Sequence, residues 1–160
     1  MTAVFRLLSN TSSAAVVLRN NGISNHYRFA AYAAGYTMTS PPSGFTVGFA
    51  IERRWGGNLN QFSLLGTRNA SATPVIGAWY TIDATITASD MSASLYLGAP
   101  NVPGAAGSDV VSNLPLVATA AVSDSTITTG GVAIYADGLV DFDAFAVRSS
   151  CDAGGTCSNL

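Results

Sequence analysis

Apolar residues along most of this chain recur at every second position, and the chain is repeatedly cut by turn-forming clusters. Phe45, Val47, Phe49 and Ile51 alternate with Thr46, Gly48, Ala50 and Glu52. Tyr80, Ile82, Ala84 and Ile86 alternate with Trp79, Thr81, Asp83, Thr85 and Thr87. Val132 to Asp137 and Val140 to Val147 repeat the pattern with β-branched and aromatic residues against small or acidic ones. A period of two puts one set of side chains on each face of an extended strand, the signature of half-buried antiparallel strands. Between the runs stand Asn20-Asn-Gly22, Ser40-Pro-Pro-Ser-Gly44, Trp55-Gly-Gly-Asn58, Gly98-Ala-Pro-Asn101, Pro103-Gly104 and Thr129-Gly-Gly131, all turn chemistry. Ala136-Asp-Gly-Leu139 reads as a tight hairpin, because Asp-Gly suits the primed turns that match strand twist.

About ten short strands at this spacing predict an all-β fold, a sandwich or a barrel. No helix-period segment exceeds two turns; Ser89 to Ser94 and Ser108 to Asn113 could each hold one. The N-terminal Met1 to Ser9 reads as a strand that begins at once. It lacks the basic and then apolar regions of a signal peptide, so either a leading segment was removed or the chain is part of something longer. With no linker or internal repeat, residues 1–148 form a single domain and residues 149–160 a tail.

The 160 residues carry 10% charged side chains, well under the roughly 25% of an average domain. There are seven arginines, no lysine, eight aspartates and one glutamate, Glu52. A net charge of −2 with scattered arginines gives no basic face for nucleic acid. No apolar run approaches the ~18 residues needed to span a bilayer, while 48% hydrophobic residues suffice for a core. The scarcity of strong helix formers argues against a helical bundle.

Cys151 and Cys157 are the only cysteines. Asp152, Gly154 and Gly155 between them let the chain double back, so a small disulfide loop is geometrically easy and favours an extracellular or cell-surface setting. The alternative is a pair of free thiols in a cytosolic protein.

Three segments, in order, resemble a known family. Ala14-Ala-Val-Val-Leu-Arg19 with Asn25-His-Tyr-Arg-Phe29 resembles the opening strand pair of the concanavalin A-like jelly-roll modules of the laminin-G and carbohydrate-binding type. Ala78-Trp-Tyr-Thr-Ile-Asp-Ala-Thr-Ile86 with Ser94-Leu-Tyr-Leu-Gly98 resembles a central strand pair of that family. Thr129-Gly-Gly-Val-Ala-Ile-Tyr135 with Val140-Asp-Phe-Asp-Ala-Phe-Ala-Val147 resembles its closing hairpin. The resemblance, covering about Ala14 to Val147, implies a two-sheet antiparallel jelly roll. Phe142 and Phe145 are three apart, so a bulge near Asp143 is needed to turn both toward one core. Family members have about thirty further residues ahead of Ala14, often supplying a strand that pairs with the last one. Their absence here implies an unprotected edge or a strand supplied from elsewhere.

Glycosidases of this fold use a Glu-x-Asp-x-x-Glu strand. The lone Glu52, followed by Arg53 and Arg54, does not provide it, and retaining cleavage needs two carboxyl groups about 5 Å apart. Asp141 and Asp143 have strand-face spacing but lie on the closing strand. No catalytic residue is therefore assigned and no cofactor is required. The resemblance implies a structural calcium ion, with Asp143 in the matching position. Sugar recognition needs an aromatic platform and planar polar groups at its rim. Arg19, His26, Arg28, Trp55 and Tyr135 are the candidates, with Tyr96 nearby, and Arg19 and Arg28 are expected on the face opposite Leu18 and Phe29. The partner is then a polysaccharide or glycan. A second reading comes from the missing lysines: lysine is the residue most used to guard sheet edges, so the chain suits homo-assembly into a filament or surface layer, or a place within a larger parent protein.

Overall fold

The computed structural model describes residues 1–22, 25–38, 41, 45, 47–55, 62–69, 71–100, 111 and 113–147, with the backbone alone for Phe62 and residues 66–69. Ten strands run in chain order: β1 Thr2–Leu7, β2 Ser13–Asn20, β3 His26–Tyr32, β4 Gly48–Arg54, β5 Phe62–Asn69, β6 Trp79–Thr87, β7 Asp90–Leu97, β8 Leu116–Ser123, β9 Gly131–Asp137 and β10 Val140–Ala146. They form two five-stranded sheets in the orders β10-β1-β6-β7-β8 and β5-β4-β3-β2-β9, every pairing antiparallel. The protein is an all-β, two-sheet antiparallel sandwich.

The sheets face each other across the side chains that the period-two pattern sends inward. Phe5 and Leu7 of β1 and Tyr80 and Ile82 of β6 meet Val16, Leu18, Phe29, Phe49 and Ile51 of the other sheet, all buried. At about 25 cal/mol per Å², each such side chain contributes about 2 kcal/mol relative to exposure.

Three expectations are corrected. Phe45 and Val47 do not share the face of Phe49 and Ile51. The chain before β4 crosses to the outer side of the second sheet, where both pack with Tyr36 and Met38 against Ala15, Ala30 and Tyr32. Tyr32 meets Tyr36 at 4.7 Å and the edge of Phe45 at 5.4 Å. Ala136-Asp-Gly-Leu139 is a corner rather than a hairpin: β9 pairs with β2 in one sheet and β10 with β1 in the other. Gly138 takes a φ of +79° there, and a Cβ on it would come 2.7 Å from the Ser12 hydroxyl, which accepts the Leu139 N–H. Ser89 to Ser94 forms no helical turn, because the chain reverses at Ala88 and Ser89 and β7 begins at Asp90. The last strand pairs with β1 on one side and forms an edge of its sheet on the other.

The bulge lies at Asp143 as expected, but of the two phenylalanines only Phe142 packs against the core, and Phe145 stays 39% exposed. Val4 pairs with Ala144 and Phe5 with Phe142, leaving Asp143 without a partner on β1. Phe142 therefore faces inward against Phe5, and Phe145, opposite inward-facing Ala3, shares that side.

Candidate functional site

The outer face of the second sheet gathers three of the five residues expected to contact sugar. Alternation along β3 sends Tyr27, Phe29 and Ala31 into the core and His26, Arg28, Ala30 and Tyr32 outward, and cross-strand pairing sets Arg28 opposite Glu52 and His26 opposite Arg54. Arg28 donates through Nε and Nη2 to Glu52 Oε2 at 3.1 and 3.0 Å, and through Nη2 to the Tyr32 hydroxyl at 2.6 Å. Tyr32 donates in turn to Glu52 Oε1 at 2.5 Å, and Arg54 approaches Glu52 at 3.4 Å. The Arg28 guanidinium lies 4.6 Å from the Tyr135 ring. Glu52, the only glutamate, is fully buried and Arg28 almost so. Burial, reinforced by the Glu52 charge, raises the Tyr32 phenol above its ordinary range.

His26 is buried, and among the described residues its Nδ1 has no hydrogen-bond partner. Burial, then the positive charges of Arg28 and Arg54, lower its pKa to about 4 against the partial opposition of a Gly22 backbone hydrogen bond and Glu52. The imidazole is therefore neutral at physiological pH.

The other two expected contact residues lie elsewhere. Arg19 does not share the face of Arg28. The pairing of β2 with β9 slips between Val17 and Asn20, Arg19 takes a φ of 50°, and its guanidinium donates to the carbonyls of Ile127, at 2.8 Å, and Ala88. It ties together the loops at one end of the sandwich. Trp55 follows β4 near that end, 39% exposed, with the Arg53 guanidinium 5.4 Å from its ring centre. Arg53 is held by Asp124 at 2.8 Å and by the Thr126 hydroxyl at 2.6 Å. Asp124 also accepts from the Tyr27 hydroxyl at 2.5 Å. Partial burial would raise the Asp124 carboxyl, but the hydrogen bonds from Tyr27 and Thr126 and the Arg53 charge outweigh it and hold it below its usual value.

A second arrangement of the same kind sits on the outer face of the first sheet, built on Arg6 and Trp79, neither of them among the residues expected to contact sugar. Arg6 lies opposite both Trp79 and Asp141. Its guanidinium sits 4.7 Å from the centre of the partly exposed Trp79 ring and donates to Asp141 Oδ2 through Nε at 3.1 Å and Nη2 at 2.5 Å. Tyr96, also partly exposed, shares this face beside Thr81. The signal was present: Arg6 alternates with core residues Phe5 and Leu7, and Trp79 is out of phase with core residues Tyr80 and Ile82. What sequence alone could not supply was that β1 and β6 are neighbours.

Asp143 is exposed at its bulge. Asp141, two residues earlier, is engaged by Arg6, so the two do not form a carboxylate pair on a regular strand face. Among the described residues no three His, Cys, Asp or Glu side chains converge as a metal site would require. Cys151 and Cys157 lie outside the described residues. No helix among the described residues is long and apolar enough to cross a membrane.

Fold and surface together define a β-sandwich module in which both tryptophans of the chain carry an arginine over the ring and an aspartate on that arginine. Comparison with protein-family models, with curated proteins and with solved structures gave no match.

Proposed function

We propose that this protein is a non-catalytic glycan-binding or adhesion module of the cell exterior, of the concanavalin A-like kind its strand motifs resemble. The repeated Arg–Trp–Asp arrangement carries the reading. An aromatic ring packs against the C–H face of a pyranose, and fixed planar donors and acceptors at its rim read the hydroxyl groups. The Arg6–Asp141 pair is substantially exposed, and such a pair contributes only about 0–1 kcal/mol to stability, so its place against a tryptophan is better explained by the surface it presents than by the fold it supports. The only glutamate is committed to two arginines, which supports a binding rather than a hydrolytic role. Affinity electrophoresis through gels containing single polysaccharides tests the proposal. The native chain should be retarded by at least one of them, and a Trp55→Ala/Trp79→Ala double variant should run freely; free migration of the native chain in every gel overturns it.

One observation favours a second reading, assembly of copies through the sandwich side. Edge strands β9 and β10 lie on the same side of the sandwich, and each leaves an inward-facing apolar residue open, Ile134 at 37% and Phe145 at 39% exposure. No lysine guards either edge. Self-association should then depend on these two residues.

A further inference from the structure

We propose that the principal glycan site is a strip on the outer face of the first sheet, from Asp141 through Arg6, Trp79 and Tyr96 to Leu116, and that its ligand is a neutral, linear polysaccharide lying across the strands. The proposal rests on the glycan-binding reading above. The register places the five residues in line: Asp141 on β10 opposite Arg6 on β1, Arg6 opposite Trp79 on β6, Tyr96 on β7 diagonal to Trp79, and Leu116 on β8 opposite Tyr96. Every strand of the sheet contributes one residue. At about 4.8 Å between neighbouring strands the strip spans about 19 Å, room for a chain of several sugars rather than one terminal unit.

The chemistry changes along the strip. At one end the paired Arg6 and Asp141 offer guanidinium donors and carboxylate acceptors to hydroxyl groups, with side chains 35% and 41% exposed. In the middle the Trp79 and Tyr96 rings offer surface for C–H packing. At the far end Leu116 is 57% exposed. Val4 and Thr81, on the same face beside the strip, are buried and form a floor.

Charge selects the ligand class. Arg6 and Asp141 cancel, and Asp83, further along the same face, accepts from the Thr2 hydroxyl at 3.0 Å and lies 3.9 Å from the chain's amino terminus. Among the described residues no net positive charge lies along it, so the strip has nothing to recruit a polyanion. The Trp55 cluster differs, because its arginine is tied into the Tyr27–Asp124–Thr126 network that closes the end of the sandwich.

Calorimetric titration of the full chain distinguishes these cases, using mixed-linkage β-glucan, glucomannan, xylan and galactomannan, a length series of their oligosaccharides, and alginate as the charged comparison. Trp79→Ala should weaken binding about tenfold or more, as loss of a central aromatic anchor does, and Tyr96→Ala should weaken it measurably. Trp55→Ala should stay within about twofold of the native chain, and affinity should rise with oligosaccharide length. Should Trp79→Ala unfold, Arg6→Gln gives the same test without removing the ring. Binding that survives loss of Trp79 or Arg6 but fails with Trp55→Ala overturns the site and leaves the glycan reading standing. Preference for alginate overturns the ligand class. Absence of binding by the native chain to every probe defeats the glycan reading itself.

Discussion

Glu52 lies directly opposite Arg28 on neighbouring strands, and their charges meet at 3.0 Å with the two side chains almost wholly out of water. Two charges transferred from water lose several kcal/mol of hydration each, which their attraction offsets only when both remain. Arg54 also leans on Glu52, so the carboxylate balances two arginines. Glu52→Gln should therefore cost about 3–5 kcal/mol of stability in urea unfolding. Arg28→Met should cost less, because Glu52 keeps Arg54. Equal losses would contradict this arrangement.

His26 makes stability depend on pH. Its folded pKa of about 4 lies below the unfolded value of 6.5, so the unfolded chain binds the extra proton first. The contribution is fully present above pH 6.5 and is lost as pH falls through the window down to about 4. At 1.36 kcal/mol per pKa unit the loss reaches about 3 kcal/mol. Carboxylates titrate in part of that window too, so the quantity to measure is the difference between the native chain and His26→Gln in urea unfolding at pH 7.5, 5.5 and 4.5. That difference should shrink steadily on acidification, and a constant offset would contradict the burial of a neutral imidazole.

The Asp143 bulge can be tested by deletion. Without that residue β10 becomes a regular strand, and a one-residue slip sends the side chains beyond it to the opposite face. Phe145 would turn outward and leave the side it shares with Phe142. Deleting Asp143 should cost about 1–3 kcal/mol in thermal or urea unfolding, whereas Asp143→Ala, which keeps the backbone count, should cost well under half of that. A deletion as stable as the native chain would show that the bulge is not needed.

If copies associate through the open side, Ile134→Lys and Phe145→Lys should each shift the chain toward monomer in sedimentation at high concentration, since burying an unpaired ammonium is strongly unfavourable. Assembly unaffected by both changes would place the contact elsewhere.

Much of the fold can be read from the chain before any coordinates, because alternation is local. Tyr80, Ile82 and Ala84 are in the core as the pattern demands, and the offset between Phe142 and Phe145 locates a bulge at Asp143. What failed depends on tertiary neighbours. Phe45 and Val47 continue the alternation of β4, but they lie ahead of the strand and cover its far side, where Tyr32 offers an aromatic surface. Asp137-Gly138 carries hairpin chemistry yet turns a corner, because β9 pairs with β2 and β10 with β1, neighbours more than a hundred positions away in the sequence. For the site, a polar residue marked as outward-facing is not thereby exposed: Arg28 and His26 point away from the core and are buried all the same. Arg6 and Trp79, 73 positions apart, become a unit only when β1 is laid beside β6.

The two tryptophans are also the chain's own probes, since no other indole contributes to its fluorescence. Titrating the native chain with soluble neutral polysaccharides while recording tryptophan emission reads the Trp79 strip itself. A saturable change in emission is expected with at least one of them, largely lost in Trp79→Phe and retained in Trp55→Phe. Emission unchanged by every polysaccharide, with the protein folded, would contradict it.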